Sequence, residues 1–445
     1  MPRQTNSTSQ VFDVIIVGAD VIGTTLAWKL ATDGFRVCLC DDAANPPRAF
    51  STGHLSQQAA ALYKDLGLFP RLKPLLSPLD YTAHFRNGRQ NEITSGEDYA
   101  IFSERLVRML QHDLEKLATV FKEPVVRISS KDRVKTVRFQ SGLVICGWLL
   151  VVASEAFLRT QALPGLTEEV LSKDHSLNFA WDLELHEPGR MSYPALVFQT
   201  SRTRHGFEHL RIFRNRESLR ANFFTYWSAE DSRGQGLHVG EASRILARNV
   251  EGFSESLGDF RVTSPVEESM SSLSRVHGGA EAGIVLAGNA GGQTPPVSEL
   301  GLSKGLHEIK ILASLTPGWL RERQLTPDVL ATFYTNPGKT AFEQEIVDRC
   351  LYARNLATGR SAEWLARRFK EELPDWLETA CLRGVQGGRW TFENLGLPAW
   401  RKGRELIQNY RATRLKGSQT DRSGRLLTSG HDDLASSDRF DDLVS

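Results

Sequence analysis

Two glycines and a later aspartate near the start of the chain have the spacing of a dinucleotide-binding turn. Residues 17–23 read Val-Gly-Ala-Asp-Val-Ile-Gly, and Asp41 follows at about the 20-residue distance expected of the ribose-binding acid. Gly18 permits a tight turn, and Gly23 lets a helix pack closely on a strand. The start of that helix would face a pyrophosphate, and Asp41 would accept ribose hydrogen bonds. The segment is therefore predicted to bind a dinucleotide.

The middle position of this turn carries an acid instead of a glycine. Asp20 places a carboxylate where the backbone should approach an anionic pyrophosphate. A tight site must move this carboxylate away, neutralise it, or tolerate it through water or a cation. The alternative is that the turn is kept for packing alone, and the sequence leaves both interpretations open.

The residues around the turn predict one compact βαβ unit. Residues 12–17 are typical of a buried parallel strand, residues 24–32 of a helix that ends at Gly34, and residues 36–40 of a second strand. Apolar residues at helical spacing predict a further helix over residues 103–120.

The pattern changes to polar-punctuated strands over residues 176–227, which predicts an antiparallel sheet in a separate layer. We predict the α/β fold class, with a Rossmann-type domain interrupted by an antiparallel-sheet substrate domain and followed by C-terminal helices. The predicted divisions are a flexible leader (1–11), a discontinuous nucleotide domain (12–165 and 281–316), a substrate domain (166–280), a helical region (317–416) and a disordered tail (417–445).

The bulk composition excludes several classes of function. The 445 residues carry a formal net charge of only +1 with mixed basic and acidic residues, so no nucleic-acid partner is predicted. The five cysteines are scattered and have no metal-site spacing, which predicts no metal and suits a reducing cytoplasm. The longest apolar run, residues 143–153, is about half of the ~20 residues that a bilayer requires, so no transmembrane segment is expected.

Three motifs in register resemble those of one enzyme family. Residues 286–292 (Leu-Ala-Gly-Asn-Ala-Gly-Gly) are followed by Thr-Pro-Pro at 294–296 and Gly-Leu-Ser-Lys-Gly at 301–305. Together with residues 12–42 and 149–159, they resemble the FAD-dependent aromatic hydroxylases, the class A flavin monooxygenases with the p-hydroxybenzoate hydroxylase fold. The resemblance extends to about Arg414.

The resemblance implies which residues hold FAD, and it also shows departures from the family pattern. Asn289 replaces an aspartate, Ser154 and Glu155 replace an Asp-Gly pair, and Ser103 stands where these enzymes often carry an arginine. Whether the neighbouring Arg105 takes that place stays open. The predicted cofactor-binding residues are Gly18, Asp20, Ile22, Gly23, Asp41, Arg105, Gly288, Asn289, Pro296, Gly301 and Leu302.

The activity implied by the resemblance is a monooxygenase reaction. NAD(P)H would reduce FAD, O2 would be captured as a flavin hydroperoxide, and one oxygen would hydroxylate or epoxidise an aromatic or polyketide-like small molecule of secondary metabolism. The alternative is a divergent protein that binds FAD weakly or not at all and acts as a cyclase, an isomerase or an accessory protein. Asp20, Ser154 and Glu155 favour it. A nicotinamide or quinone oxidoreductase without oxygen insertion fits less well.

No catalytic residue or protein partner is identified from the sequence. In the predicted substrate domain, Phe223, Thr225 and Trp227 share one strand face and Phe224 lies on the other. One set could face a cavity, or all could be core aromatics. An arginine cluster could recognise a carboxylate or an acyl carrier, or could be a solvated strand edge; its members are Arg211, Arg214, Arg216 and Arg220. His205 and His209 could assist proton transfer, or could be ordinary exposed or satisfied residues.

Overall fold

The computed structural model describes residues 11–41, 52–131, 133–160, 163, 167–199, 206–216, 218–238, 240–277, 282–323 and 325–367. Residues 1–10 of the predicted leader, His205 and the predicted tail lie outside these ranges. The described strands are β1 Val11–Val17, β2 Val37–Asp41, β3 His54–Leu55, β4 Ser77–Pro78, β5 Tyr81–Arg86, β6 Arg89–Ser95, β7 Tyr99–Ala100, β8 Thr119–Lys122, β9 Val125–Lys131, β10 Val134–Phe139, β11 Val144–Val152, β12 Thr167–Leu185, β13 Ala195–Gln199, β14 Phe207–Asn215, β15 Ser218–Thr225, β16 Phe260–Val262, β17 Glu267–His277 and β18 Ile284–Leu286. The described α-helices are α1 Val21–Thr32, α2 Gln57–Asp65, α3 Phe69–Leu72, α4 Ser103–Leu114, α5 Glu155–Thr160, α6 Ser232–His238, α7 Ala242–Asn249, α8 Phe253–Leu257, α9 Gly301–Glu322, α10 Pro327–Tyr334 and α11 Pro337–Thr358.

A mostly parallel sheet carries the predicted βαβ unit. Its strands run in the order β8, β2, β1, β11, β10, β9, and β18 pairs with the end of β11. Strand β1 is parallel to both β2 and β11, and β18 is parallel to β11. Residues 14–17 of β1 are buried, as expected of a strand covered on both faces. This arrangement confirms the predicted Rossmann-type layer.

A second, largely antiparallel sheet confirms the predicted separate layer. Its order is β16, β12, β15, β14, β13, β5, β6, with β17 paired to β12. One face is apolar, because alternate residues such as Phe179, Trp181 and Phe223 form a buried cluster with residues of α6, α7 and α8. Residues of the opposite parity, including Asn178, Arg211 and Asn222, therefore point away from that cluster.

The structure differs from the sequence prediction at two places. The predicted helix over 103–120 ends at Leu114, and Thr119–Lys122 forms an edge strand parallel to β2. Leu117, which continued the helical apolar spacing, is 49% exposed. The hairpin of β5 and β6 joins the second sheet through β13. These pairings link residues that are far apart in sequence, so local periodicity could not indicate them.

Helices follow the last parallel strand, as predicted. Helix α9 begins at Gly301 and runs for 22 residues, with Pro317 inside it, and α10 and α11 come next. Side-chain caps start the last two helices: Thr326 accepts from Val329 N, and Asn336 accepts from Gly338 N. In the described part of the chain, no helix is long and apolar enough to cross a membrane.

Candidate functional site

The first glycine turn packs tightly against the start of α5. Gly18 has a φ of +113°, and a Cβ added there would lie 2.7 Å from the backbone nitrogen of Ser154. A Cβ on Gly23 would lie 1.9 Å from the carbonyl oxygen of Gly18. Both positions therefore require glycine for the turn itself, whether or not a nucleotide binds.

Asp20 occupies the amino terminus of α1 with its own carboxylate. It is the N-cap residue, and the backbone nitrogen of Gly23 donates a hydrogen bond of 2.8 Å to its Oδ1. Burial raises the pKa of Asp20 to about 6, against the opposing effect of the backbone hydrogen bonds from Gly23 and Ile22. The donors that would face a pyrophosphate are thus engaged by a carboxylate that is poorly stabilised as an anion.

Two further predicted cofactor residues, Asp41 and Arg105, lie on β2 and α4. Asp41 ends β2, and the Nε2 of Gln111 on α4 donates a hydrogen bond of 3.2 Å to its Oδ2. Arg105 is exposed on the same helix, with its guanidinium carbon 4.9 Å from the ring centroid of Phe102. The structure therefore places Asp41 beside α4, and Arg105 stacks on a neighbour in the chain.

The second glycine turn lies directly against the first. Gly288 has a φ of +63°, and a Cβ added there would lie 3.2 Å from Cγ2 of Ile22. A Cβ on Gly305 would lie 2.3 Å from Cδ1 of Ile22. The side chain of Gln293 also donates a hydrogen bond to the carboxylate of Glu155. The structure thus brings together three segments that are separated by well over a hundred residues in the sequence.

A buried ionic network holds the second turn in place. The backbone nitrogen of Gly288 donates to Glu308 at 2.7 Å, and Lys304 Nζ donates to the carbonyl oxygens of Gly288 and Gly292 at 3.1 and 3.3 Å. Lys339 from α11 lies 3.1 Å from Glu308. Burial alone would raise the pKa of Glu308, but Lys304 and Lys339 hold it below its usual range. Sequence reasoning missed this network, although a Lys and a Glu four residues apart on a buried helix could have indicated it.

The N-cap residue does not cap the start of α9 with its side chain. This residue is Leu300, whose side chain cannot accept a hydrogen bond from the backbone nitrogens near Gly301 and Leu302. The hydroxyl of Ser303 is buried and has no hydrogen-bond partner among the described residues. Pro296 begins a short 3-10 turn before the helix, and Asn289 is exposed in the second glycine turn. The helix start can therefore accept an acceptor group from a ligand.

A second cluster, which the sequence did not reveal, surrounds Glu299. This residue has a φ of +56° and lies between the 3-10 turn Pro296–Ser298 and α9. Arg211 on β14 donates to its two carboxylate oxygens at 2.9 and 2.8 Å. His209 Nε2 lies 3.5 Å from Oε2, and His54 Nδ1 lies 3.4 Å from Oε1. The bidentate contact fixes the Arg211 guanidinium against the carboxylate.

The cluster stabilises its buried carboxylate strongly. Burial alone would raise the pKa of Glu299, but Arg211, followed by the contacts of His209 and His54, holds it well below the usual range. His54 also contacts Asp98 at 3.3 Å. Although burial and Arg211 oppose its charge, the hydrogen bonds to Asp98 and Glu299 raise the pKa of His54. The two carboxylates therefore favour the protonated form of His54.

The other substrate-domain predictions have mixed outcomes. Phe223 and Trp227 lie in the apolar core of the second sheet, whereas Phe224 lies on the other face, 4.6 Å from His209 between ring centroids. The four arginines do not act as one cluster. Arg211 contacts Glu299, Arg214 donates to the Met191 carbonyl oxygen at 2.8 Å, Arg216 donates to the Pro74 carbonyl oxygen, and Arg220 contacts Asp182 and Glu267.

Comparison with known proteins confirms the fold. No family profile and no curated protein sequence matches the chain. The structure is similar to the p-nitrophenol 4-monooxygenase of Pseudomonas putida, with a TM-score of 0.62 at 16% identity over 81% of this chain and 93% of that one. A probable FAD-dependent monooxygenase of Pseudomonas aeruginosa gives 0.62 at 15% identity over 81% and 100%. A Diels-Alderase of pyrroindomycin biosynthesis gives 0.59 at 15% over 84% and 78%. The predicted flavin monooxygenase fold is therefore confirmed.

Proposed function

We propose that this chain binds FAD and hydroxylates or epoxidises an aromatic or polyketide-like small molecule. The observation that carries the proposal is the convergence of the three predicted motif segments: Ile22 of the first turn fills the space beside Gly288 and Gly305, and Ser154 packs on Gly18. Packing alone would require the first turn, but it gives no reason for the buried Ser303 hydroxyl in the first turn of α9, which has no partner among the described residues. Two retained turns and an open helix terminus favour a bound dinucleotide.

The residues at the flavin end of the site fit FAD, whereas Asp20 at the pyrophosphate end opposes its binding. At the flavin end, the uncapped start of α9 and the unpartnered Ser303 hydroxyl offer donors to a ring carbonyl. At the pyrophosphate end, Gly18 and Gly23 form the tight turn before α1, and Asp41 lies at the end of β2. Asp20 must release its hydrogen bond from Gly23 for a phosphate to take its place. Binding of the pyrophosphate would therefore require the Asp20 side chain to rotate away from Gly23, and protonation of its carboxylate would make this rotation easier.

The protein's own residues would position the substrate and manage its proton. Bound FAD would supply the redox chemistry, with NAD(P)H as reductant and O2 as oxidant. The 3-10 turn Pro296–Ser298 lies against β12 and β15, so the helix start and the second sheet face one another. Both ring nitrogens of His54 face a carboxylate, Asp98 on one side and Glu299 on the other. His54 could therefore exchange a proton with a phenol-like hydroxyl only after its ring releases one of these contacts. It is the acid–base candidate for the reaction.

A second candidate is a non-redox enzyme, such as a cyclase or isomerase, or an accessory protein on the same fold. Asp20 favours it, because its carboxylate already satisfies the helix terminus that would bind the pyrophosphate. The fold also occurs in a Diels-Alderase, whose named reaction is a cycloaddition. In this case the His54 and Glu299 cluster would provide general acid–base catalysis without flavin turnover.

Flavin content and turnover separate the two candidates. The full chain is purified, its visible absorbance is recorded, and FAD is titrated at pH 6. NADPH consumption is then followed with and without phenols. A yellow or reconstitutable protein whose NADPH consumption rises with a phenol, with oxygen incorporated into product, supports the monooxygenase. A protein that remains colourless and binds no FAD at any pH contradicts it and favours the second candidate.

We also propose that the protein works in the cytoplasm as part of secondary metabolism. Support for the compartment comes from four cysteines without a disulfide partner among the described residues: Cys38, Cys40, Cys146 and Cys350. Unpaired thiols are the usual state in a reducing compartment. Fractionation of the native host tests the compartment, because recovery in a membrane or secreted fraction contradicts it.

A further inference from the structure

Two asparagines on the second sheet point away from its apolar core. Asn178 on β12 and Asn222 on β15 alternate with Phe179 and Phe223, which belong to the buried cluster, so they lie on the opposite face. We call this the polar face and define it by Asn178, Asn222, Phe224, His209 and Arg211. Strand register places Asn222 beside Arg211, and Phe224 beside both His209 and Asn178. The five side chains therefore form two adjacent rows across three strands.

Both asparagine amides have a fixed orientation. The Nδ2 of Asn222 donates to the carbonyl oxygen of Thr52 at 2.6 Å. The Nδ2 of Asn178 donates to the Ser176 hydroxyl at 3.0 Å and to the carbonyl oxygen of Ser269 at 3.1 Å. Carbonyl oxygens accept only, so a flipped amide would place two acceptors against each other.

The amide oxygens of these asparagines lack a donor. Oδ1 of Asn178 and Oδ1 of Asn222 are buried and have no hydrogen-bond partner in the part of the chain that the structure describes. Buried acceptors are nearly always satisfied, and those that are not call for a ligand, an ion or a water. The two residues are diagonal neighbours, about 7–8 Å apart at Cα. Two nearby oxygens therefore lack donors on one face, and the Phe224 ring lies beside them.

The cations on this face are already neutralised. Glu299 engages Arg211 through both oxygens, and Arg220 contacts Asp182 and Glu267 at 3.4 and 2.6 Å. An anionic ligand would have to compete with these internal carboxylates and would also meet the two asparagine oxygens. The electrostatics thus oppose a carboxylate and favour hydrogen-bond donors.

We propose that the polar face binds a neutral, flat molecule with two hydrogen-bond donors, such as a dihydroxylated arene, through the oxygens of Asn178 and Asn222. This specificity rests on the proposed function, because the ligand would be the substrate of the flavin site. Phe224 stacks on the ring, and Glu299 excludes carboxylated analogues by occupying Arg211. Asn178 and Asn222 are thereby specificity residues.

The ligand test uses three probes and the full chain without turnover. Resorcinol, its dimethyl ether and 3,5-dihydroxybenzoate are titrated at pH 7 and followed by ligand-observed NMR. Resorcinol should bind at least about tenfold more tightly than either of the others, because it alone supplies two donors without a charge. Equal affinities, tighter binding of the benzoate, or binding of none of the three would overturn the proposal.

Variants sharpen the assignment. Asn222→Leu and Asn178→Leu should each weaken resorcinol binding about tenfold, whereas the matched control Asn215→Leu should not. Asn215 is also buried with an unpartnered amide, but it lies at the far end of β14. Equal effects at all three positions would contradict the assignment. Circular dichroism and the binding of the dimethyl ether check that each variant is folded.

Glu299→Gln tests the exclusion of anions. Freed from its internal partner, Arg211 should bind 3,5-dihydroxybenzoate at least about tenfold more tightly than in the unaltered protein. If Glu299→Gln does not fold, the double variant Glu299→Gln with Arg211→Gln replaces it and should show no gain in affinity for 3,5-dihydroxybenzoate, because it lacks the freed guanidinium. A gain in the double variant would overturn the role given to Arg211. FAD binding is measured separately by flavin fluorescence. Loss of probe selectivity with intact FAD binding defeats this inference alone, and loss of FAD binding with intact selectivity defeats the proposed function alone.

Discussion

Asp20 and Glu299 are carboxylates near the starts of two helices, and their surroundings are opposite. Asp20 caps α1, and Glu299 immediately precedes Leu300, the N-cap of α9. The hydrogen bond to Asp20 comes from the backbone nitrogen of Gly23, and burial raises the pKa of Asp20 to about 6. Burial acts on Glu299 in the same direction, but Arg211 and two histidines outweigh it and hold the pKa well below the usual range.

The surroundings of Asp20 and Glu299 determine which of the two carboxylates a ligand can displace. A carboxylate held by backbone dipoles alone is a weakly bound internal anion, so a diphosphate can compete for the same donors. A carboxylate in a bidentate contact with a buried arginine is a fixed part of the structure. We therefore expect that Asp20 regulates entry of the cofactor, and that Glu299 shapes the site permanently.

Removing the fixed anion should have the largest effect. Glu299→Ala leaves the Arg211 guanidinium buried without its partner and should lower the free energy of unfolding by roughly 3 kcal/mol. Urea denaturation measures this loss. The exposed pair of Glu241 and Arg244 provides the control, because Glu241→Ala should change stability little. A loss below about 1 kcal/mol for Glu299→Ala would show that the cluster is not a tightly coupled unit.

Removing the displaceable anion should tighten cofactor binding. Asp20→Gly frees the donors of α1 and should lower the Kd for FAD at least about tenfold at pH 8, or 1.4 kcal/mol. Quenching of flavin fluorescence measures Kd. Asp33→Asn, which changes an acid at the opposite end of the same helix, should leave Kd unchanged. Weaker or unchanged binding by Asp20→Gly would refute the competition between carboxylate and pyrophosphate.

The ionised carboxylate of Asp20 should also lower the free energy of unfolding. The folded-state pKa of Asp20 is about 6, above the ordinary value of about 3.9. Between these two pH values, the folded protein binds more protons than the unfolded chain does. The free energy of unfolding therefore falls as the pH rises through this range, and it stays lower above pH 6, where Asp20 is ionised. Asp20→Asn keeps the cap without the charge, so it should be more stable at pH 8 by about 1 kcal/mol. The advantage should disappear as the pH falls from 6 towards 4, and an advantage that grows in acid would contradict the account.

The smallest effect concerns the protonation of His54, which lies between the carboxylates of Asp98 and Glu299. Because the pKa of His54 is raised, its charge adds stability below the ordinary value of about 6.5, and this is lost as the pH rises through the raised value. The advantage of the unaltered protein over His54→Gln should shrink by about 0.5 kcal/mol between pH 6 and pH 8. Thermal unfolding at both values measures it, with the exposed His112→Gln as control. A constant difference would mean that His54 stays neutral.

Local patterns predicted the parts of the fold that are determined locally. Glycine spacing and apolar runs predict β1, the turn after it, α1 and β2. The short apolar segment that forms β18, Ile284–Leu286, indicates where the chain returns to the parallel sheet. The strand Thr119–Lys122 was missed because Leu117 continues a helical spacing, although it is exposed. Its pairing with β2 is a tertiary contact that periodicity does not carry.

The site was predictable where a motif fixes the backbone and unpredictable where partners come from afar. The glycines of both turns were identified, and the two turns meet where Ile22 lies against Gly288. Glu299 was missed because its partners His54 and Arg211 are contributed by β3 and β14, each many residues away in sequence. The unpartnered oxygens of Asn178 and Asn222 depend on amide orientation, which only tertiary contacts determine.

The pH dependence of FAD binding shows whether Asp20 and the pyrophosphate compete for one anion site at the start of α1. FAD is titrated into the unaltered full chain between pH 5.5 and pH 8 at constant ionic strength. We expect saturable binding whose Kd is nearly constant below pH 6 and then rises by up to about tenfold per pH unit, with a flat profile for Asp20→Gly. Saturable binding with the same Kd throughout this range, or no binding at any pH, would contradict it.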